Sequence, residues 1–204
     1  MRCKRFSTII ETDGGDCVTT LYLMRHGETL FNVENRIQGW CDSPLTARGI
    51  AQGQAAAAWF ARAGIGFDAA FCSTTERAAD TLELVCDLPY RRVKGLREWG
   101  FGRFEGQPEI LNPAIPYNDF FVPYGGEAET AVKKRVNDTV TALMVETTGE
   151  SVLMVSHAGA IRNFLAQHAD GAALEERLPN CGIVQFAYDA GNFTLQRIVD
   201  PATA

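Results

Sequence analysis

Leu21-Tyr22-Leu23-Met24 runs straight into Arg25-His26-Gly27, and far downstream Val152-Leu153-Met154-Val155-Ser156 runs into His157. Short apolar runs of this kind fill buried strands, so two of the three histidines in the chain stand at strand ends. In open parallel sheets, sites are built outside the carboxyl ends of the strands, and this placement speaks for chemistry more than packing. Arg25 sets a permanent cation beside His26 and Gly27 follows it, a setting that suits a nucleophile attacking something anionic such as a phosphate.

Outward from these two runs, apolar segments alternate with helical patterns, the mark of an α/β fold. The first strand spans about Thr19 to Met24. Thr46 offers an N-cap to an alanine-rich helix through Phe60, and a strand over Phe67 to Cys72 follows. Ser73 or Thr74 is expected to cap a helix over Glu76 to Cys86, which Pro89 ends; a weaker strand pattern covers Tyr90 to Val93. Trp99 to Gly126 is rich in Gly, Pro and aromatics and reads as an irregular lid. A long helix is expected over Glu127 to Glu146, another from near Ala158. Two closing strands, Ile183 to Tyr188 and Phe193 to Val199, flank the turn Asp189-Ala190-Gly191-Asn192.

With 204 residues and 46% hydrophobic content, the chain can bury a core as one domain without disulfides. The net charge of -6 argues against general affinity for nucleic acid or anionic membranes, so an anion site must be a local focus of arginines. The six cysteines, Cys3, Cys17, Cys41, Cys72, Cys86 and Cys181, lie far apart and read as buried free thiols rather than disulfides or metal ligands. No stretch approaches a membrane span, and a cytoplasmic location is expected. Residues 1–17 read as a non-native or dispensable extension, leaving 18–204 as the domain.

Leu23-Met24-Arg25-His26-Gly27-Glu28-Thr29, with Asn32 following, resembles the signature of the histidine phosphatase superfamily, which includes the phosphoglycerate mutases. Arg36 through Thr46 (Arg-Ile-Gln-Gly-Trp-Cys-Asp-Ser-Pro-Leu-Thr), Ser73 with Arg77-Ala78 and Thr81, Leu96-Arg97-Glu98 with Phe101-Gly102 and Glu105-Gly106, Gly125-Gly126-Glu127, and Ser156-His157-Ala158-Gly159 continue the likeness in order. The resemblance implies a three-layer α/β/α sandwich with a mostly parallel central sheet, like that of the phosphoglycerate mutases. It also implies His26 as the nucleophile, Arg25, Arg77 and His157 as its cationic pocket, and Glu98 as the general acid. Asn32, Gln38, Gly39 and Ala158 would bind substrate, helped by free N–H groups of the helix that starts at Ala158. Neither metal nor cofactor is required.

Two features separate the branches of that family. Mutases of this type resemble Ser-Gly where this chain has Gln38-Gly39, and they carry arginines in the insert after the acid, whereas residues 104–132 here hold no Lys or Arg. The implied activity is hydrolysis of small phosphate monoesters through a phosphohistidine, with mutase action as the alternative and an inactive phospholigand-binding module as the third reading. The expected partner is a small-molecule phosphate ester; a homodimer is left open. Asp80, where relatives often have glutamine, puts a carboxylate one turn from Arg77, and Ala158 stands where many have glycine. Glu105 and Glu28 are rival acids to Glu98. Arg162 reads as a packing or capping residue, His168 as a partly exposed helix residue, and Trp40, Trp99 and Phe101 as pocket lining or core in equal measure.

Overall fold

The computed structural model describes residues 18–169, 171 and 177–204. The expected extension over 1–17 lies outside them.

Six strands form one sheet: β1 (Thr19–Arg25), β2 (Ala69–Cys72), β3 (Tyr90–Arg92), β4 (Ser151–Ser156), β5 (Ile183–Asp189) and β6 (Asn192–Val199), in the order β3-β2-β4-β1-β5-β6. β3, β2, β4 and β1 run parallel, and the closing pair is antiparallel. Ala190 and Gly191 both have positive φ, 45° and 89°, the conformation a two-residue hairpin needs to match strand twist.

Because side chains alternate across a strand, β1 feeds two cores. Leu21 and Leu23 face one, Tyr22 and Met24 the other, and β4 divides in the same way between Val152, Met154 and Leu153, Val155. After the one-turn helix α1 (Leu30–Val33), helices α2 (Ala47–Arg62) and α3 (Glu76–Val85) cover the second face through Ala56, Phe60, Ala78 and Leu82; α4 (Glu129–Glu146) and α5 (Ala158–His168) cover the first. In α4 the buried residues Val132, Val136, Val140, Leu143 and Met144 make one stripe at helical spacing. The result is the expected three-layer sandwich.

The helix over 76–85 starts differently from the expectation. Its N-cap is Thr75, which makes no side-chain cap bond, while Ser73 is buried. The Asp42 carboxylate accepts the Glu76 N–H instead, so a distant loop caps the helix. The expected lid is irregular, with three short 3-10 turns after Phe101. Its inner side is an aromatic cluster: Phe121, fully buried, meets Trp99, Phe101 and Tyr117 edge to face, at 6.3, 4.9 and 5.3 Å between centroids.

Candidate active site

β1 and β4 are neighbours, with Arg25 opposite Ser156, and the His26 N–H donates to the Ser156 carbonyl at 3.0 Å. The two strand-end histidines therefore emerge side by side, ring centroids 5.2 Å apart. Both are buried, and burial followed by the Arg77 charge holds both well below the ordinary histidine pKa. Both are neutral, so each has one N–H and one bare nitrogen.

Their partners decide which. His26 Nδ1 lies 2.8 Å from the Gly27 carbonyl, an oxygen that can only accept. The proton is on Nδ1, and Nε2 carries the free lone pair. His157 Nδ1 lies 3.0 Å from Arg77 Nη2, a nitrogen that can only donate. Here Nδ1 is the bare nitrogen and the proton is on Nε2, which is buried with no hydrogen-bond partner. A buried unpaired donor is costly, and an acceptor brought in beside it would remove that cost.

Arg77 is fully buried. Nη1 donates to the Cys41 carbonyl at 2.8 Å and to Asp42 Oδ1 at 2.9 Å, and Nη2 to the Gly39 carbonyl at 2.8 Å as well as to His157. Four of its five N–H bonds are thus spent inside the protein, leaving Nε unpaired. Its acidic partner is Asp42, not Asp80. Arg25 is buried too; burial brings it down to about 10, which still leaves it cationic at neutral pH. Nη1 donates to the Leu178 carbonyl at 2.8 Å, and Nε has no partner.

Glu98 is buried, and its carboxyl sits against the start of α5. Oε1 accepts the N–H of Trp99 and of Ala160, and Oε2 that of Gly159, each at 2.8 Å. Burial raises its pKa, and it outweighs these three bonds, which favour the charged form. Oε1 has both lone-pair directions taken and Oε2 one, so a proton on this carboxyl belongs on Oε2. The α5 terminus was expected to offer its free N–H groups to a ligand. Two of them are occupied by Glu98 instead, and the Ala158 N–H is the one that remains.

The rival acids point elsewhere. All the acceptor capacity of Glu105 goes to backbone N–H groups, of Gly39 and Cys41 on Oε2 and of Trp40 and Phe101 on Oε1, so it ties the 39–41 loop to the lid. Glu28 turns to Thr46 and Arg48.

A cavity of about 430 Å³ opens over the strand ends. Arg25, His26, Asn32, Gln38, Glu98 and Ala158 line it; Arg77, His157 and Gly39 lie outside the lining. Gly39 is needed for packing, since a Cβ there would stand 2.2 Å from the Trp99 carbonyl oxygen. Gln38 is partly committed, with Oε1 accepting from Thr29 and Nε2 donating to Ser43. Asn32 Oδ1 accepts from Thr29 N and Asn180 Nδ2, which leaves its N–H groups for the cavity. Trp99 and Phe101 are both core and lining, whereas Trp40 is 46% exposed and lies outside the lining.

Sequence reasoning missed three arginines in that lining, Arg36, Arg162 and Arg177; Arg162 is exposed rather than packed. The insert is free of cations, but the cavity is not. Asp42 and Thr81 stood in the ordered motifs without a role and Gln52 went unmarked; the contacts of all three reach across tens of residues. Among the described residues no group of three or more His, Cys, Asp or Glu is placed to hold a metal ion, and no helix is long and apolar enough to cross a membrane.

A family model described as the histidine phosphatase superfamily (branch 1) matches residues 21–201. The chain is 33% identical to the adenosylcobalamin/alpha-ribazole phosphatase of Escherichia coli (strain K12) over 72% of its own length and 77% of that protein's. It is 32% identical to a 2,3-bisphosphoglycerate-dependent phosphoglycerate mutase of Methylobacterium radiotolerans, over 70% and 75%. In three dimensions it is similar to the crystal structure of a phosphoglycerate mutase from Bacillus anthracis, with a TM-score of 0.82 at 26% identity, covering 92% of this chain and 95% of that one.

Proposed function

The chain belongs to the histidine phosphatase superfamily, and from that premise we propose that it hydrolyses small phosphate monoesters through a phosphohistidine formed on His26. The observation that carries this reading is the pairing of a neutral His26, its proton committed to Gly27, with a buried carboxyl raised towards its protonated form, Glu98. The His26 Nε2 lone pair forms the N–P bond as the P–O bond to the leaving group breaks. Glu98 gives its proton to the departing oxygen, and then takes one from the water that opens the phosphohistidine.

Charge spread over the phosphoryl oxygens in the transition state is met by the Arg25 cation and the unpaired Nε2–H of His157. Arg77 acts chiefly from behind, by aiming His157 and adding its charge. Asn32 and the Ala158 N–H supply neutral donors. None of these steps needs a metal ion, so activity should survive EDTA. An acidic enzyme of this kind is read as cytoplasmic.

A specific observation keeps the mutase reading alive. Arg36, Arg162 and Arg177 line the same cavity as Trp99, Phe101 and Tyr117, and an arginine can neutralise a second anionic group. The Gln38-Gly39 pair and the insert without Lys or Arg favour hydrolysis. The deciding experiment incubates the protein with an aryl phosphate and, separately, with 3-phosphoglycerate. Release of inorganic phosphate from the first with little isomerisation of the second supports the phosphatase; efficient exchange between 2- and 3-phosphoglycerate overturns it in favour of a mutase.

A further inference from the structure

We propose that Gln52, on α2, is a positioning residue for the nucleophile, holding the Gly27–Glu28 amide so that the Gly27 carbonyl selects the Nδ1–H tautomer of His26. The inference rests on His26 as the reacting group but concerns how it is prepared. The Gly27 carbonyl and the Glu28 N–H belong to one planar amide. One end of that plane accepts from His26 Nδ1 at 2.8 Å; the other donates to Gln52 Oε1 at 2.9 Å. Turning the plane breaks both bonds.

The surroundings leave the amide little freedom. A Cβ on Gly27 would stand 2.7 Å from the Gly49 carbonyl oxygen, and one on Gly49 only 2.0 Å from that of Glu28, so the first turn of α2 is packed directly on the Gly27 turn. Gln52 follows Gly49 by three residues and is delivered by that same turn. From the other side Thr81 Oγ1 accepts the Gly27 N–H at 2.9 Å and donates onward to the Arg77 carbonyl at 2.7 Å. An amide whose N–H is bound is polarised and accepts more strongly at its oxygen, which favours the proton on Nδ1 and electron density on Nε2.

The test compares Gln52→Met, which keeps length but has no oxygen acceptor, with Gln52→Glu, which keeps one at the same reach. Q52M should lower kcat about tenfold, on the scale of an outer-shell partner of a histidine, with KM within about twofold, and Q52E should stay near the wild type. Histidine ¹⁵N spectra should show wild-type His26 as a single Nδ1–H tautomer and Q52M as a mixture. Should Q52M not fold, Gln52→Asn, one methylene too short, must show the same two changes. An unmixed tautomer with unchanged kcat, or equal losses in Q52E and Q52M, overturns the proposal. The spectra decide the matter even if no monoester is turned over, which separates this failure from that of the phosphatase reading.

Discussion

His26 and His157 are the same residue type at the ends of adjacent parallel strands, both buried and both held neutral, yet they carry their proton on opposite nitrogens. The backbone carbonyl of Gly27 sets the first and the guanidinium of Arg77 the second. One ring is left with a bare Nε2, the other with an Nε2–H. In the proposed reaction, one hydrogen-bond partner is thus what would separate the nucleophile from the donor, in line with the general rule that the partner of one ring nitrogen decides the role of the other.

If that division is right, the two histidines should fail differently. His26→Ala should abolish both turnover and the acid-labile, base-stable phosphorylation of the protein; normal hydrolysis by this variant would sink the account. His157→Ala should lower kcat by roughly 10²–10³-fold, the scale of one preorganised donor, while slow phosphorylation of His26 persists in a rapid-quench assay. Loss of labelling altogether would make His157 a second nucleophile or a folding requirement.

Arg77→Lys removes the group that writes the His157 tautomer, and a lysine cannot meet four acceptors in one plane. It should cost roughly 10²-fold on every substrate, whatever the leaving group. Glu98→Gln should be more selective. Esters with alkoxide-like leaving groups should lose about 10²-fold or more and activated aryl esters much less, because only the former need a proton as the bond breaks. Equal losses for the two classes, measured as kcat/KM, would remove Glu98 from the acid role.

The smallest effect is on stability against pH. Both histidines titrate below their ordinary 6.5 in the fold, so below that value the unfolded chain binds more protons and stability falls as pH falls. Glu98 has the opposite sign: with its pKa above 4.5, the folded state binds the extra proton, and that contribution is lost as pH rises. Between about pH 7 and 5, His157→Gln should therefore flatten the fall in Tm, and Glu98→Gln should steepen it. A slope unchanged by His157→Gln would contradict a buried neutral His157, and one unchanged by Glu98→Gln would contradict the raised Glu98 carboxyl.

Much of the floor of the site was legible from the chain. Apolar runs ending in Arg25-His26 and Ser156-His157 announce the strands at whose carboxyl ends the candidate site lies, and the ordered motifs bring in Arg77 and Glu98. The architecture follows from the same runs and the helices between them. What was not legible are bonds that depend on how loops land. The Asp42 carboxylate caps α3 in place of Ser73 or Thr74 because the 39–43 loop returns over that helix. Glu105 looks like a rival acid until its four backbone donors are seen. An insert without cations suggested a cavity without them, but a cavity is lined by whatever surrounds it, here arginines from three separate segments. Gln52 fits an ordinary amphipathic helix, and Thr81, although one of the ordered motif residues, gives no sign in the sequence of the turn that the two hold.

The most direct test of the account is to find where the phosphoryl group goes. A labelled monoester, quenched in base within the first turnover and followed by peptide mapping, should place phosphorus on His26, and on Nε2, the nitrogen that Gly27 leaves bare. Phosphorus on Nδ1 of His26, on His157, or on neither histidine while turnover proceeds would contradict it.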